Sequence, residues 1–161
     1  MAVLFTSCFP MTKKLLSLLV LVPAFLLAGC GEEVKDTRPG QPVKTRQEAF
    51  KDLLRTFEPM SKMMKEDRYD AGEFAQMSTY FMAKRDAPWS HFGADTNYPP
   101  SEAKPEVWQD AAAFERAKQD FLAASDALNA AAQARDKTRV ESLYSRVYDT
   151  CKSCHDSFRH R

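Results

Sequence analysis

Apolar side chains recur along most of this chain at steps of three, four and seven residues, the spacing that lines one face of a helix. From Pro42 onward, Val43, Phe50, Phe57 and Met64 form a row with a step of seven, and Leu53 and Met60 fill the row beside it. Pro42 suits a first helical turn, where its missing N–H costs nothing, and Pro59 is expected to bend this helix without ending it. A second helix is predicted from about Asp70 to Arg85, carrying Phe74, Met77 and Phe81. Helix breakers then cluster at Pro88, Gly93, Pro99 and Pro100, which predicts a loop. A third helix is predicted from about Pro105 to Ala134, with Val107, Phe114, Phe121 and Leu128 in one row and Ala111 and Ala132 in its neighbour. The fourth starts near Asp136, a residue suited to an N-cap, and its rows are Val140, Val147, Cys154 and Tyr144, Cys151, Phe158. Four amphipathic helices with a period near 3.5 predict an all-α fold, an antiparallel four-helix bundle.

Composition narrows the function. The 161 residues leave room for one domain and a tail, isoleucine is absent and alanine abundant, so strand formers are missing where helix formers are plentiful. Of five glycines, Gly29, Gly31 and Gly40 lie near the N-terminus, and the other two cannot build a phosphate-cradling loop. With 23 basic and 22 acidic side chains, a formal charge of +1, the chain lacks the basic excess of a nucleic-acid binder.

The first 29 residues stand apart. Lys13 and Lys14 precede an apolar run from Leu15 to Ala28, followed by Gly29 and Cys30, the layout of an export signal with Met11 as the true start. Cys8 then carries no chemistry. Leu27-Ala28-Gly29-Cys30 resembles the lipobox of bacterial lipoproteins, which implies that Cys30 is acylated and anchors the mature chain to a membrane; the plainer reading is an ordinary signal peptide cleaved nearby. Gly31 after the cysteine resembles an outer-membrane sorting signal in a two-membrane bacterium. Residues 30–41 are polar, with Pro39 and Gly40, and read as a flexible tether. Residues 42–161 form the bundle.

The candidate chemistry lies at the other end. Cys151 and Cys154 occupy core-facing rows of the fourth helix, and His155, four residues after Cys151, falls on nearly the same face. Cys151-Lys152-Ser153-Cys154-His155 is the C-x-x-C-H signature of covalent c-type haem attachment. Two sulfurs at fixed separation suit the two vinyl groups of a porphyrin, and the adjacent imidazole suits an axial position of the iron. A thioredoxin-type dithiol would need a βαβ context that is missing here. A structural zinc site would need four ligands; His160 and His91 could supplement the three present, but no second paired motif exists. A disulfide between positions i and i+3 of a helix would be strained and would staple almost nothing.

From about Pro42 to Arg159 the chain resembles the cytochrome c′ family. The matching pieces are Val43-Lys44-Thr45-Arg46-Gln47, Pro88-Trp89 followed by Phe92, Lys104-Pro105-Glu106-Val107-Trp108, and Cys151 to Arg159. The resemblance implies one haem c per chain, with thioethers at Cys151 and Cys154 and His155 as the proximal iron ligand. It implies that Arg159 stands beside the proximal pocket and that Arg46 lies near the haem edge, where a guanidinium can pair with a propionate; taken alone, both are solvated helix charges. It further implies that Phe50 caps the distal face. Phenylalanine cannot ligate, so the iron would be five-coordinate beneath an apolar cap and would take nitric oxide or carbon monoxide. Read without the resemblance, Phe50 is core packing.

A related low-spin branch, resembling the c556-type cytochromes, uses a first-helix methionine as sixth ligand and transfers electrons. Met60, Met63 and Met64 are available on the first helix and Met77 and Met82 on the second, yet Met60 stands about 15 Å along the helix from Phe50. His91 is a weaker candidate ligand. A peroxidase would want a distal acid or base, and the first helix offers none beyond peripheral charges. The expectation is therefore a gas-binding haem protein, not an enzyme, on the periplasmic side of a bacterial envelope. An unidentified redox partner and a homodimer through the first two helices belong to what the resemblance implies.

Overall fold

The computed structural model of the protein describes residues 34–160; the leader, Met11, Cys8 and the acylation site read at Cys30 lie outside the described residues. Five helices follow: α1 (Pro42–Lys65), α2 (Ala71–Lys84), α3 (Glu106–Gln109), α4 (Ala111–Gln133) and α5 (Lys137–Phe158). A turn of 3₁₀ helix, Trp89–His91, interrupts the long connection between α2 and α3. The four long helices make the bundle, with α5 packed closely on α4, α4 on α2, and α2 on α1.

Local chemistry explains most of the boundaries. Asp70 caps α2 by accepting the Glu73 N–H at 2.7 Å, and Asp136 caps α5 by accepting the Arg139 N–H at 3.1 Å, the position expected from sequence. The stretch read as one helix from Pro105 to Ala134 is broken. Asp110 leaves helical geometry (φ −119°, ψ 62°) and its carboxylate accepts the Ala113 N–H at 3.0 Å, so it starts α4 anew. A short acidic side chain competes for backbone N–H groups in this way, and apolar spacing does not register it. The break lets α3 turn Val107 into the interior while Trp108 donates its indole N–H to the Gly93 carbonyl at 2.9 Å.

In α1 the helix runs through Pro59, whose ring sits on the exposed side. Its buried row is Val43, Leu53, Phe57, Met60 and Met63, with Met64 only partly buried where the seven-step row placed it. At 100° per residue Met64 stays within about 20° of Phe57 while Met63 lies about 120° round from it, so helical period does not account for the exchange. The core joins this row to Phe74 and Phe81 of α2, Phe121 and Leu128 of α4, and Val140 and Val147 of α5. Ser78, fully buried on α2, donates to Asn129 Oδ1 of α4 at 2.9 Å, so the polar group is satisfied.

The packed domain begins before α1. Asp36, in the stretch read as tether, is buried and accepts the N–H groups of Val43 (2.9 Å), Lys44 (3.1 Å) and Arg38 (3.2 Å) and the hydroxyl of Tyr98 (2.9 Å). Val43 and Lys44 are first-turn residues whose N–H groups have no partner inside the helix. Gly40 (φ 74°) and Gln41 (φ 43°) adopt left-handed backbone, and this reversal brings Asp36 back over the helix start. Burial opposes ionisation of Asp36, but the bonds from Lys44, Tyr98, Arg38 and Val43 outweigh it and hold the carboxyl below its ordinary 3.8.

Because the folded-state pKa is depressed, the stabilisation from Asp36 is fully present above the unfolded value and is lost as pH falls through the lower folded value. Asp36→Asn is expected to lower the thermal midpoint at pH 7 and to flatten the fall in midpoint below pH 4. Circular dichroism melts between pH 2 and 7 measure both effects; parallel curves for the two proteins would refute the role.

Candidate functional site

Cys151, Cys154 and His155 lie on the last two turns of α5, and Arg159, with extended backbone, is its C-cap. Taking fully buried Val147 as the inward direction, 100° per residue puts Cys154 within about 20° of it, Cys151 about 40° round and His155 about 80° round. The two thiols are accordingly half-buried, while His155 stands exposed on the flank of the helix, not on the inward patch expected for it. Tyr144, about 60° round on the same side, identifies what this flank faces. Its ring stacks on Phe57 of α1 (centroids 5.2 Å, interplanar angle 12°), and its hydroxyl lies 2.6 Å from Ser61 Oγ.

Those contacts set a register between α1 and α5. Seven residues back along α1 from Phe57 is Phe50, and seven residues on along α5 from Tyr144 is Cys151. The helices run antiparallel, so both steps move about 10 Å in the same direction along the bundle and bring Phe50 and Cys151 to one level. Along their length the two helices make little close backbone approach and meet through side chains. Leu54 of α1 and Tyr148 of α5 remain 54% and 53% exposed, two of the few large apolar side chains left so.

An aromatic wall closes the end of this region. Phe50 meets Trp89 edge-on at 5.5 Å and Phe92 at 6.2 Å; Phe92 packs on Phe114 of α4 at 4.8 Å; Phe114 meets Phe158 of α5 at 5.4 Å. Phe158 lies one turn beyond Cys154, so the wall runs from the distal candidate to the cysteine-bearing helix.

Arg46 does not join the α5 residues. It is only 4% exposed, and its two terminal nitrogens donate to the His91 carbonyl (2.9 Å), Thr96 Oγ1 (3.1 Å), the Thr96 carbonyl (3.4 Å) and Ser101 Oγ (2.8 Å). Its guanidinium also lies over the Phe92 ring, 4.4 Å from the centroid. Burial pulls its pKa below the ordinary value, against the opposing pull of Tyr98 and Asp36. The group expected at a propionate is here the fastener of the loop that carries Trp89 and Phe92.

Electrostatics on α5 favour neutral groups. Burial, with a smaller contribution from Cys154, pushes the Cys151 thiol up to about 11, and burial alone pushes Cys154 up to about 11. Both thiols are protonated at neutral pH and poor participants in disulfide exchange. Partial desolvation of the ring against the helix, then the positive charge of Arg159, lowers the His155 pKa, partly offset by Asp156, which favours the neutral imidazole. The methionines lie elsewhere: Met60 and Met63 are buried in the core and Met64, Met77 and Met82 pack against it.

The C-terminal domain matches the family model described as Cytochrome C′ over residues 41–159. The chain belongs to the cytochrome c′ family. A cytochrome c′ of Alcaligenes xylosoxydans xylosoxydans is 32% identical over 123 residues, 76% of this chain and 95% of that protein. One of Rubrivivax gelatinosus is 32% identical over 126 residues, 77% of this chain and 98% of that protein. Among solved structures, the Rubrivivax gelatinosus cytochrome c′ superposes with a TM-score of 0.72 at 31% identity, covering 78% of this chain and all of that one. A variant of the Alcaligenes xylosoxidans protein, solved as its nitric oxide complex, gives a TM-score of 0.72 at 32% identity and covers 78% of this chain and 98% of that one.

Cytochromes c′ carry one covalently bound haem c, and the residues present fit it. Two neutral thiols one turn apart face inward, a neutral imidazole stands beside them, and the flanks of α1 and α5 leave apolar side chains uncovered at that level. Sequence reasoning missed Asp36 and Glu102; neither lies at a spacing that marks a cap or a ligand. Arg46→Ala should unfasten the loop at a cost of about 3 kcal/mol, since several buried acceptors lose their donor. Guanidinium chloride unfolding followed by Trp89 and Trp108 fluorescence measures it, and a loss under about 0.5 kcal/mol would contradict the fastening role.

Proposed function

We propose that this cytochrome c′ holds one haem c through thioethers to Cys151 and Cys154 with His155 as its axial ligand, and that it binds nitric oxide or carbon monoxide on the opposite face beneath Phe50. The observation that carries the reading is the register of α1 against α5: the Phe57–Tyr144 stack, continued by equal steps along both helices, brings Phe50 level with the thiols. When bound, the haem would supply an iron able to take a small diatomic ligand. The chain supplies the rest. Phe50 cannot coordinate, and the neighbouring Trp89 and Phe92 offer rings in place of proton donors at that end. An apolar cap of this kind excludes water and anions and leaves nothing to stabilise bound dioxygen by a hydrogen bond. Arg46 acts indirectly, by fixing the loop on which Trp89 and Phe92 stand.

The nitric oxide complex known for the Alcaligenes xylosoxidans variant supports the ligand class. The low-spin alternative lacks support here, because the methionines that would serve it are committed to the core. Binding, with accompanying electron transfer to a redox partner, is the activity proposed; no catalytic residue is assigned. The protein works on the periplasmic side of the envelope, tethered by lipid on Cys30. A second copy packing on α1 and α2 would cover Tyr80, which is exposed on α2.

The purified protein is expected to give the haemochrome spectrum of a haem with two thioether bonds and a high-spin, five-coordinate ferrous spectrum at neutral pH. A low-spin ferrous spectrum would reject the Phe50 assignment. Phe50→Ala should speed carbon monoxide association about tenfold, equivalent to about 1.4 kcal/mol off the entry barrier; flash photolysis measures the rate, and an unchanged rate would remove Phe50 from the ligand's path.

A further inference from the structure

Residues 102–104, just before α3, lie alongside the end of α5 and are fastened to it. The Lys104 N–H donates to the Phe158 carbonyl at 2.9 Å and the His160 N–H to the Glu102 carbonyl at 2.8 Å, closing an antiparallel bridge between Ala103 and Arg159. Lys104 Nζ adds a bond to the Asp156 carbonyl at 2.8 Å. These contacts occupy carbonyls at a helix end that would otherwise lack partners, and they hold this strap without any help from the Glu102 side chain.

That side chain does something separate. Glu102 Oε2 accepts from both Nε (2.8 Å) and the second terminal nitrogen (2.6 Å) of Arg159. Both residues are about half exposed, and an exposed pair of this kind contributes little to stability. Its consequence is geometric. Arg159 follows His155 by one helical turn, and Glu102, His155, Asp156, Arg159 and His160 line a single open groove. A long arginine side chain free in such a groove would sample many positions; the carboxylate selects one.

We propose that Glu102 is a positioning residue for the proximal side of the haem: by fixing the Arg159 guanidinium beside His155 and offsetting part of its charge, it sets the electrostatic environment of the axial ligand and so of the iron. Fixed charges and contacts around a ligating histidine tune a metal through the ligand's orientation and basicity. The inference rests on the reading of His155 as the axial ligand. It goes beyond that reading by assigning a role to a loop residue far from the attachment motif in sequence.

The test uses the haem-loaded full chain and a double-mutant cycle of Glu102→Gln with Arg159→Gln. Two readouts are taken: the midpoint reduction potential and the iron–imidazole stretching band of the ferrous protein by resonance Raman. Glu102→Gln should raise the potential, since a negative charge is removed and the arginine is left unneutralised, and should broaden or shift the band. In the Arg159→Gln background the same substitution should change the potential by less than half as much and leave the band unmoved. Equal shifts in both backgrounds would mean that the carboxylate acts as an independent charge, and would overturn the proposal. So would an unchanged potential and band in Glu102→Gln itself. Failure of the underlying reading looks different: the wild-type protein would then lack covalent haem or show no iron–imidazole band at all. Thermal midpoints should agree within about 2 °C between Glu102→Gln and wild type, because the backbone bridge persists.

Discussion

A buried guanidinium must have its donors met, because an unpaired charge out of water costs several kcal/mol. Arg46, buried near the start of α1, meets that demand with acceptors drawn from one loop: His91, Thr96 and Ser101. The loop consequently has little freedom to lie anywhere else. On one side of those bonds it presents Trp89 and Phe92 to Phe50; on the other it continues as residues 102–104 to the end of α5. One charge on α1 therefore organises both the proposed distal wall and the strap on the proximal helix. Asp36 completes the arrangement from the N-terminal side, where it holds the first turn of α1 and Tyr98 of the same loop.

The bundle treats its two ends differently, and that difference makes room for a cofactor. At the Tyr144 end, α1 and α5 are locked by a stacked ring pair and a hydroxyl–hydroxyl hydrogen bond. At the other end the same two flanks carry Phe50, Leu54, Tyr148, Cys151 and His155, of which none is fully buried. A helical bundle whose core ran uniformly between α1 and α5 would cover such side chains. Here the apolar surface left uncovered and the paired thiols coincide, and the neutral state of thiols and imidazole suits an apolar planar group with a metal at its centre.

Much of this was legible in the chain because it is governed by short-range rules. The boundaries of α2 and α5 follow from aspartates at cap positions and from the apolar period that starts behind them. The Cys151 to His155 motif is contiguous, so its chemistry reads directly. Local rules fail where a residue's partner is distant or where a break leaves the apolar period intact. Asp36 caps α1 from seven residues upstream after a chain reversal at Gly40 and Gln41, a geometry that no cap spacing announces, and it was read as tether. Asp110 interrupts an apolar row without disturbing its step of seven, and Met63 is buried more deeply than Met64 although the helical period favours Met64.

The sequence by itself determined the four long helices, most of their inward rows, the attachment motif and the family resemblance that gives the motif its meaning, since each depends on residues within a few turns of one another. Only the tertiary structure decided what Arg46 and Glu102 touch. Arg46 reads as a solvated helix charge when taken locally and Glu102 carries no local signal, and both find their partners about fifty residues away. It also decided the level of Phe50 against Cys151. Helical period fixes which way a side chain points, but the height of one helix against another is set by interlocking contacts such as Phe57 on Tyr144, which no single helix encodes.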